Sequence, residues 1–182
     1  MTYAPLGSTC GATALGTMPS ARRMTTLHVG HSRASVRTMF DVVRAVEAWP
    51  THLPHYRSVR MLERDPDGGG VVEMVADRPF GAFRWPTVSR SVMQVDHRRP
   101  AVRFRHIGGL TTGMEVEWAF EADGLADGRA AGTRISLLHL WDGPRWPLIG
   151  AVAAVRVIGP LFVTGMASRT LVGLVRAAEA VT

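Results

Sequence analysis

Two hydrophobic periods divide the chain. From Thr25 to His31 apolar and polar residues alternate one by one, the pattern of a strand with one buried face. Val36, Met39, Phe40, Val43 and Val46 then recur at helical spacing behind Ser35, a good N-cap residue. This helix is expected to end near Trp49-Pro50, and Pro50 and Pro54 bracket a turn or a second short helix. Extended runs follow at Tyr56 to Glu63, Val71 to Asp77, Phe83 to Val95, Ala101 to Ile107, Met114 to Glu121 and Ile135 to Trp141. Turn chemistry separates them, most densely at Asp65-Pro66-Asp67-Gly68-Gly69-Gly70 and in the polar loop from Asp123 to Gly132. The clearest run sets Met114, Val116, Trp118 and Phe120 on one face and glutamates on the other. After Asp142-Gly143-Pro144 the helical period returns. Phe162, Met166, Leu171, Leu174, Val175 and Ala178 can share one face of a helix from about Pro160 to Ala180.

This order predicts an α+β domain: a strand, two short helices, about six consecutive strands and one long helix. Consecutive antiparallel strands need a cover for their apolar face, and the last helix supplies it. A single cavity is expected between that helix and the sheet, lined by Trp118, Phe120 and Leu137. Residues 1–23 show no period and read as a flexible, dispensable extension, with Met24 a candidate start. Residues 24–182 form the domain.

Composition narrows the chemistry. A chain of 182 residues that is 46% hydrophobic and 20% charged can bury a core. The lone Cys10 rules out an internal disulfide and a cysteine zinc cluster, consistent with a reducing cytoplasm. All basic residues are arginine, with a net charge of +6, but they are scattered and often sit beside acids. No basic helix or phosphate loop points to nucleic acid. A positive surface still suits an acidic protein partner. The apolar stretch Pro147 to Ala167 contains Arg156 and Pro160, which argue against a membrane span and for a greasy cavity mouth. His52 and His55 lack a third ligand at zinc spacing, no nucleophile elbow is present, and no metal or cofactor is expected.

Glu47-Ala48-Trp49-Pro50, then Tyr56 and a strand into an Asp-Gly turn, resembles bacterial aromatic polyketide aromatase/cyclases of the tetracenomycin type. These belong to the START/birch-allergen-like helix-grip superfamily, a curved antiparallel sheet of about seven strands wrapped around a long C-terminal helix. The resemblance implies a polyketide cyclase that folds a carrier-tethered poly-β-ketone and closes a ring by aldol condensation and dehydration. It needs no cofactor, and its partners would be the polyketide and an acyl carrier protein. The family's pocket tyrosine falls on Tyr56, its key arginine on Arg90, a last-strand pocket position on His139, and a pocket-wall tryptophan on Trp49.

Arg90 shares strand parity with Arg84, Pro86 and Val88, so all four are expected to face the cavity, with Met166 contributing from the helix. Pro86 and Val88 replace the aromatic and serine pocket residues that some relatives carry ahead of the arginine. In the catalytic reading Arg90 anchors a ketone or enolate oxygen, while Tyr56 and His139 exchange protons. Each has a plainer reading: a core-edge tyrosine, an outward salt bridge and a satisfied core histidine. Two rivals use the same cavity, a non-catalytic carrier of a quinone or lipid and an enzyme acting on another small natural product. A homodimer is left open.

Overall fold

The computed structural model describes residues 15–80, 83–126, 129–130, 132–143 and 163–181. Strand β1 (Met24–Ser32) leads to helix α1 (Val36–Arg44), a 3-10 turn (Val46–Ala48) and the single-turn helix α2 (Trp49–His52). Strands β2 (Tyr56–Arg64), β3 (Gly70–Phe80), β4 (Phe83–Asp96), β5 (Ala101–Gly109) and β6 (Glu115–Ala122) follow. A two-residue hairpin, β7 (Leu125–Ala126) and β8 (Arg129–Ala130), lies in the predicted polar loop. Strand β9 (Thr133–Trp141) and helix α3 (Gly165–Glu179) complete the described elements. The seven long strands form one antiparallel sheet in the order β1-β9-β6-β5-β4-β3-β2.

Local chemistry explains the helices. Ser35 accepts a hydrogen bond from the Thr38 N–H at 3.1 Å and caps α1 as expected. Met39, Phe40 and Val43 turn inward. The predicted single helix breaks at Ala45, whose ψ of 58° is not helical, and Pro50 fits the first turn of α2. In α3, Met166, Leu171, Leu174 and Ala178 are buried and Val175 packs against the core. Residues 147–162 of the apolar stretch, Phe162 among them, lie outside the described residues. No described helix is long and apolar enough to cross a membrane.

Helix α3 sits close to its neighbours because two glycines permit it. A Cβ on Gly30 of β1 would come within 3.1 Å of Leu171, and one on Gly173 would lie 2.2 Å from Leu53 Cδ2. Trp49 is 3% exposed, donates its indole N–H to the Val43 carbonyl at 3.1 Å, and meets Tyr56, Phe104 and Trp118 edge-on. Glu47, two residues earlier, accepts the Met61 N–H at 3.1 Å and an Arg64 N–H, which ties the 3-10 turn to edge strand β2. The acidic end of the Glu-Ala-Trp-Pro motif is therefore structural here, and its tryptophan forms part of the core.

The extension does not stay loose up to residue 23. Leu15 is 3% exposed, and its carbonyl accepts from Arg105 at 2.9 Å while that of Gly16 accepts from Arg103. These arginines face outward from β5 and hold Glu115, which is buried on β6; Arg103 and Arg99 also reach Glu117. Arg22 pairs with Asp142 at 2.7 Å. Residues 15–23 thus form a strap over an ionic layer on the back of the sheet. Removing residues 1–23 should cost about 2–4 kcal/mol, from a lost buried leucine and unpaired carbonyl bonds to guanidinium. Urea unfolding of full-length and truncated protein checks this, with equal midpoints as the contrary result.

Candidate functional site

The sheet's inner face and α3 enclose a cavity. Its apolar walls are Trp49, Met74, Ala76, Phe104, Met114, Val116, Trp118, Leu137, Val163, Met166 and Ala167. Its polar walls are Tyr56, Thr87, Ser89, Ser91, His106, Thr111, His139 and Thr170. None of these described lining residues is an aspartate, glutamate or arginine. The open volume is about 90 Å³, well under the roughly 300–1,000 Å³ usual for a pocket that encloses an organic ligand. A larger guest must displace wall side chains, and the unbranched Met74, Met114 and Met166 are the ones best able to move.

Strand irregularities decide which groups reach this space. The β2–β3 register shifts between Tyr56 and Ser58, so Tyr56 lies opposite Ala76 while Val59 lies opposite Met74. Tyr56 and Val59 are three positions apart, yet both face inward, because the extra residue Arg57 turns out to pair with Asp77 at 2.7 Å. A second shift lies between β4 and β5, where Arg90 pairs with Gly108 and Ser91 with His106, leaving Ile107 as the extra residue, 50% exposed. Gly109, at φ +95°, lets the backbones close beyond it; a Cβ there would meet the Val88 carbonyl oxygen at 2.3 Å.

The two histidines stand on neighbouring regions of the sheet. His106 Nδ1 lies 2.6 Å from Thr111 Oγ1, a hydrogen bond within the tight β5–β6 connection. His139 on β9 is 8% exposed and meets His28 of β1 edge-on, ring centroids 6.1 Å apart. At the α2 end, His55 Nε2 lies 3.1 Å from Thr170 Oγ1 and its ring packs 4.9 Å from that of Tyr56. Burial, aided by the Arg169 charge, holds His55 below the usual imidazole range, so it is neutral at pH 7. Among the described residues, no group of three or more His, Cys, Asp or Glu is placed to hold a metal ion.

The expected site residues divide. Trp49, Tyr56, Trp118, Leu137, His139 and Met166 line the cavity together. Phe120 is buried on the same face but packs against Phe40, outside the lining. Arg90 points the other way: it is 59% exposed and its Nε lies 2.8 Å from Glu73 Oε2. Pro86 and Val88 share that outer face and are exposed, while Arg84 lies on β4 with its side chain outside the described residues. The inward parity belongs to Thr87, Ser89 and Ser91, continued by the buried Met93 and Val95. His106 escaped the sequence reading, although Val102, Phe104 and His106 alternate on the buried side of β5.

Residues 32–158 match the family described as polyketide cyclase / dehydrase and lipid transport. The chain belongs to that family. This polyketide cyclase/dehydrase-family protein also has the START helix-grip fold. It superposes on the Zhui aromatase/cyclase from Streptomyces sp. R1128 with a TM-score of 0.69 and 19% identity, over 86% of this chain and 93% of that one. A START superfamily protein from Mycobacterium smegmatis gives 0.68 and 15%, over 87% and 99%. A protein from Thermus thermophilus, TTHA0849, gives 0.68 and 16%, also over 87% and 99%. No curated protein sequence matches the chain.

Set against the resemblance, the cavity-facing parity of this family member reads Trp85, Thr87, Ser89. Aromatic and hydroxyl residues thus stand four and two places ahead of a serine rather than an arginine; Trp85 itself is 68% exposed. The arginine next door serves the outer face. Arg90→Ala should therefore leave ligand binding in the cavity unchanged and cost at most about 1 kcal/mol of stability, as an exposed ion pair does. Tryptophan fluorescence with a bound naphthol or anthraquinone probe checks this; a lost probe signal in the folded variant would return Arg90 to the site.

Proposed function

We propose that the protein is a polyketide cyclase that folds a carrier-tethered poly-β-ketone in this cavity and closes a ring by aldol addition and dehydration. The observation that carries the reading is the cavity lining itself: Tyr56, His106 and His139 lie among hydroxyls on otherwise apolar walls. An aldol closure needs a base for the acidic CH₂ between two carbonyls, donors for the enolate oxygen and an acid for the carbonyl that is attacked. His139 is assigned as the base. The hydroxyls of Tyr56, Ser89 and Ser91 take the anchoring role that the resemblance gave to arginine. His106, held by Thr111, delivers a proton to the alkoxide formed as the new carbon–carbon bond closes. Loss of water from the β-hydroxyketone then gives the conjugated ring. Apolar walls hold the chain in one folded conformer and exclude the water that would support shunt reactions.

An acyl carrier protein is the proposed partner. A groove beside α3, lined by His52, Leu53, Pro54, Arg169, Val172 and Arg176, offers it cationic side chains next to the His55–Thr170 wall of the cavity.

The second reading is non-catalytic carriage of an apolar molecule, and the outward Arg90 favours it by leaving the described lining without a permanent charge. The two readings part on His139. Catalysis predicts that His139→Ala lowers formation of cyclised product by about a hundred-fold or more, the usual worth of a positioned acid or base. Tyr56→Phe should cost less, about ten- to a hundred-fold, since the serines remain. The assay is product from a reconstituted ketosynthase and carrier protein, scored against shunt products, with circular dichroism confirming the fold. Unchanged product ratios in both variants, with probe binding retained, would leave carriage as the function.

A further inference from the structure

Behind His139 lies a second polar layer that the cavity does not expose. The inner face of β1 carries Met24, Thr26, His28, Gly30 and Ser32, alternating with more exposed neighbours. Thr26 is the strand partner of His139, and His28 is the partner of Leu137. The His28 ring stands perpendicular to that of His139, centroids 6.1 Å apart. Neither Thr26 Oγ1 nor His28 Nε2 has solvent access or a hydrogen-bond partner among the described residues.

Sealed polar atoms of this kind are rarely left without a partner in folded proteins. Two of them, two residues apart on one face of a strand, are separated by roughly 6–7 Å of backbone. One water molecule bridges polar atoms up to about 5 Å apart, so it can bond to both side chains where they lean toward each other from that backbone spacing. We propose that His28 is a positioning residue for His139, and that it acts through a water bound between His28 Nε2 and Thr26 Oγ1. Burial keeps His28 below the ordinary imidazole range, so at neutral pH it has one N–H to give and one lone pair to accept. The water fixes the His28 ring, and that ring, edge-on to His139, limits how the His139 imidazole can turn. The inference rests on the reading of His139 as the proton carrier, but its primary test does not.

That test uses the full chain with ¹⁵N-labelled histidine. Thr26→Val keeps the shape and deletes the hydroxyl; His28→Leu deletes the ring nitrogens; His28→Gln keeps a group that can bond the water. The expected result is that Thr26→Val and His28→Leu both shift the His139 imidazole nitrogen resonances, while His28→Gln returns them toward wild type. Thr26→Val should also lower Tm, because a water loses its seat. His139 resonances unchanged in Thr26→Val and His28→Leu would overturn the proposal. So would a raised Tm in Thr26→Val, the mark of a hydroxyl with nothing to bond. In the reconstituted assay His28→Leu should lower kcat about tenfold with KM unchanged, the cost of a His139 ring no longer held in its productive orientation. Shifted resonances with full turnover would retain the positioning role and instead overturn His139 as the proton carrier.

Discussion

A seven-stranded sheet is wider than any helix laid on it. Six interstrand spacings of about 4.8 Å make roughly 29 Å of sheet, whereas a helix with its side chains is about 10–12 Å across. The apolar inner face must still leave water, since its burial is the main drive to fold. Here α3 covers the β1 side, and α1 and α2 cross over β5, β6 and β2. Trp49 fills the junction, touching Tyr56, Phe104 and Trp118 at once. The gap left among these described elements is the cavity, so the site follows from how a wide sheet is covered and is not a separate construction.

The same constraint sorts the charges. The sheet's outer face faces solvent or the strap of residues 15–23, and there the arginines find carboxylates: Arg90 with Glu73, Arg99 with Glu117, Arg105 with Glu115. On the inner face, the polar groups of the described cavity lining are ones that can be neutral at pH 7, namely tyrosine, histidine and hydroxyls. A guanidinium on that face would need an oxygen partner to offset its desolvation, and the described lining supplies no carboxylate. The described lining therefore offers proton transfer between weak acids and bases, together with orientation.

Alternation made most of this architecture readable. The order of strands and helices, the Ser35 cap, and the inward Trp118, Leu137 and Met166 all follow from period and turn chemistry. What could not be read was facing on β4, where both faces mix polar and apolar residues between Arg84 and Val92. Motif spacing drew Arg90 inward, whereas Met93 and Val95 continue the parity of Ser89 and Ser91 and so mark the true inner face. Tyr56 shows the opposite case, since strict alternation from Val59 would turn it outward and only the extra residue Arg57 brings it in. His106 was legible from Val102 and Phe104. The strap was not, because a single buried Leu15 among glycine, alanine and threonine has no period to betray it.

The contact between Gly173 and Leu53 also bears on how this scaffold can diversify. A missing Cβ lets α3 seat against Leu53 at Gly173, and Gly30 on β1 admits Leu171 of the same helix, so α3 is pinned at two places. The frame behaves as a fixed mould. New ligand preferences must then be written by exchanging the inserts that line it, the methionines and small hydroxyl residues, one position at a time.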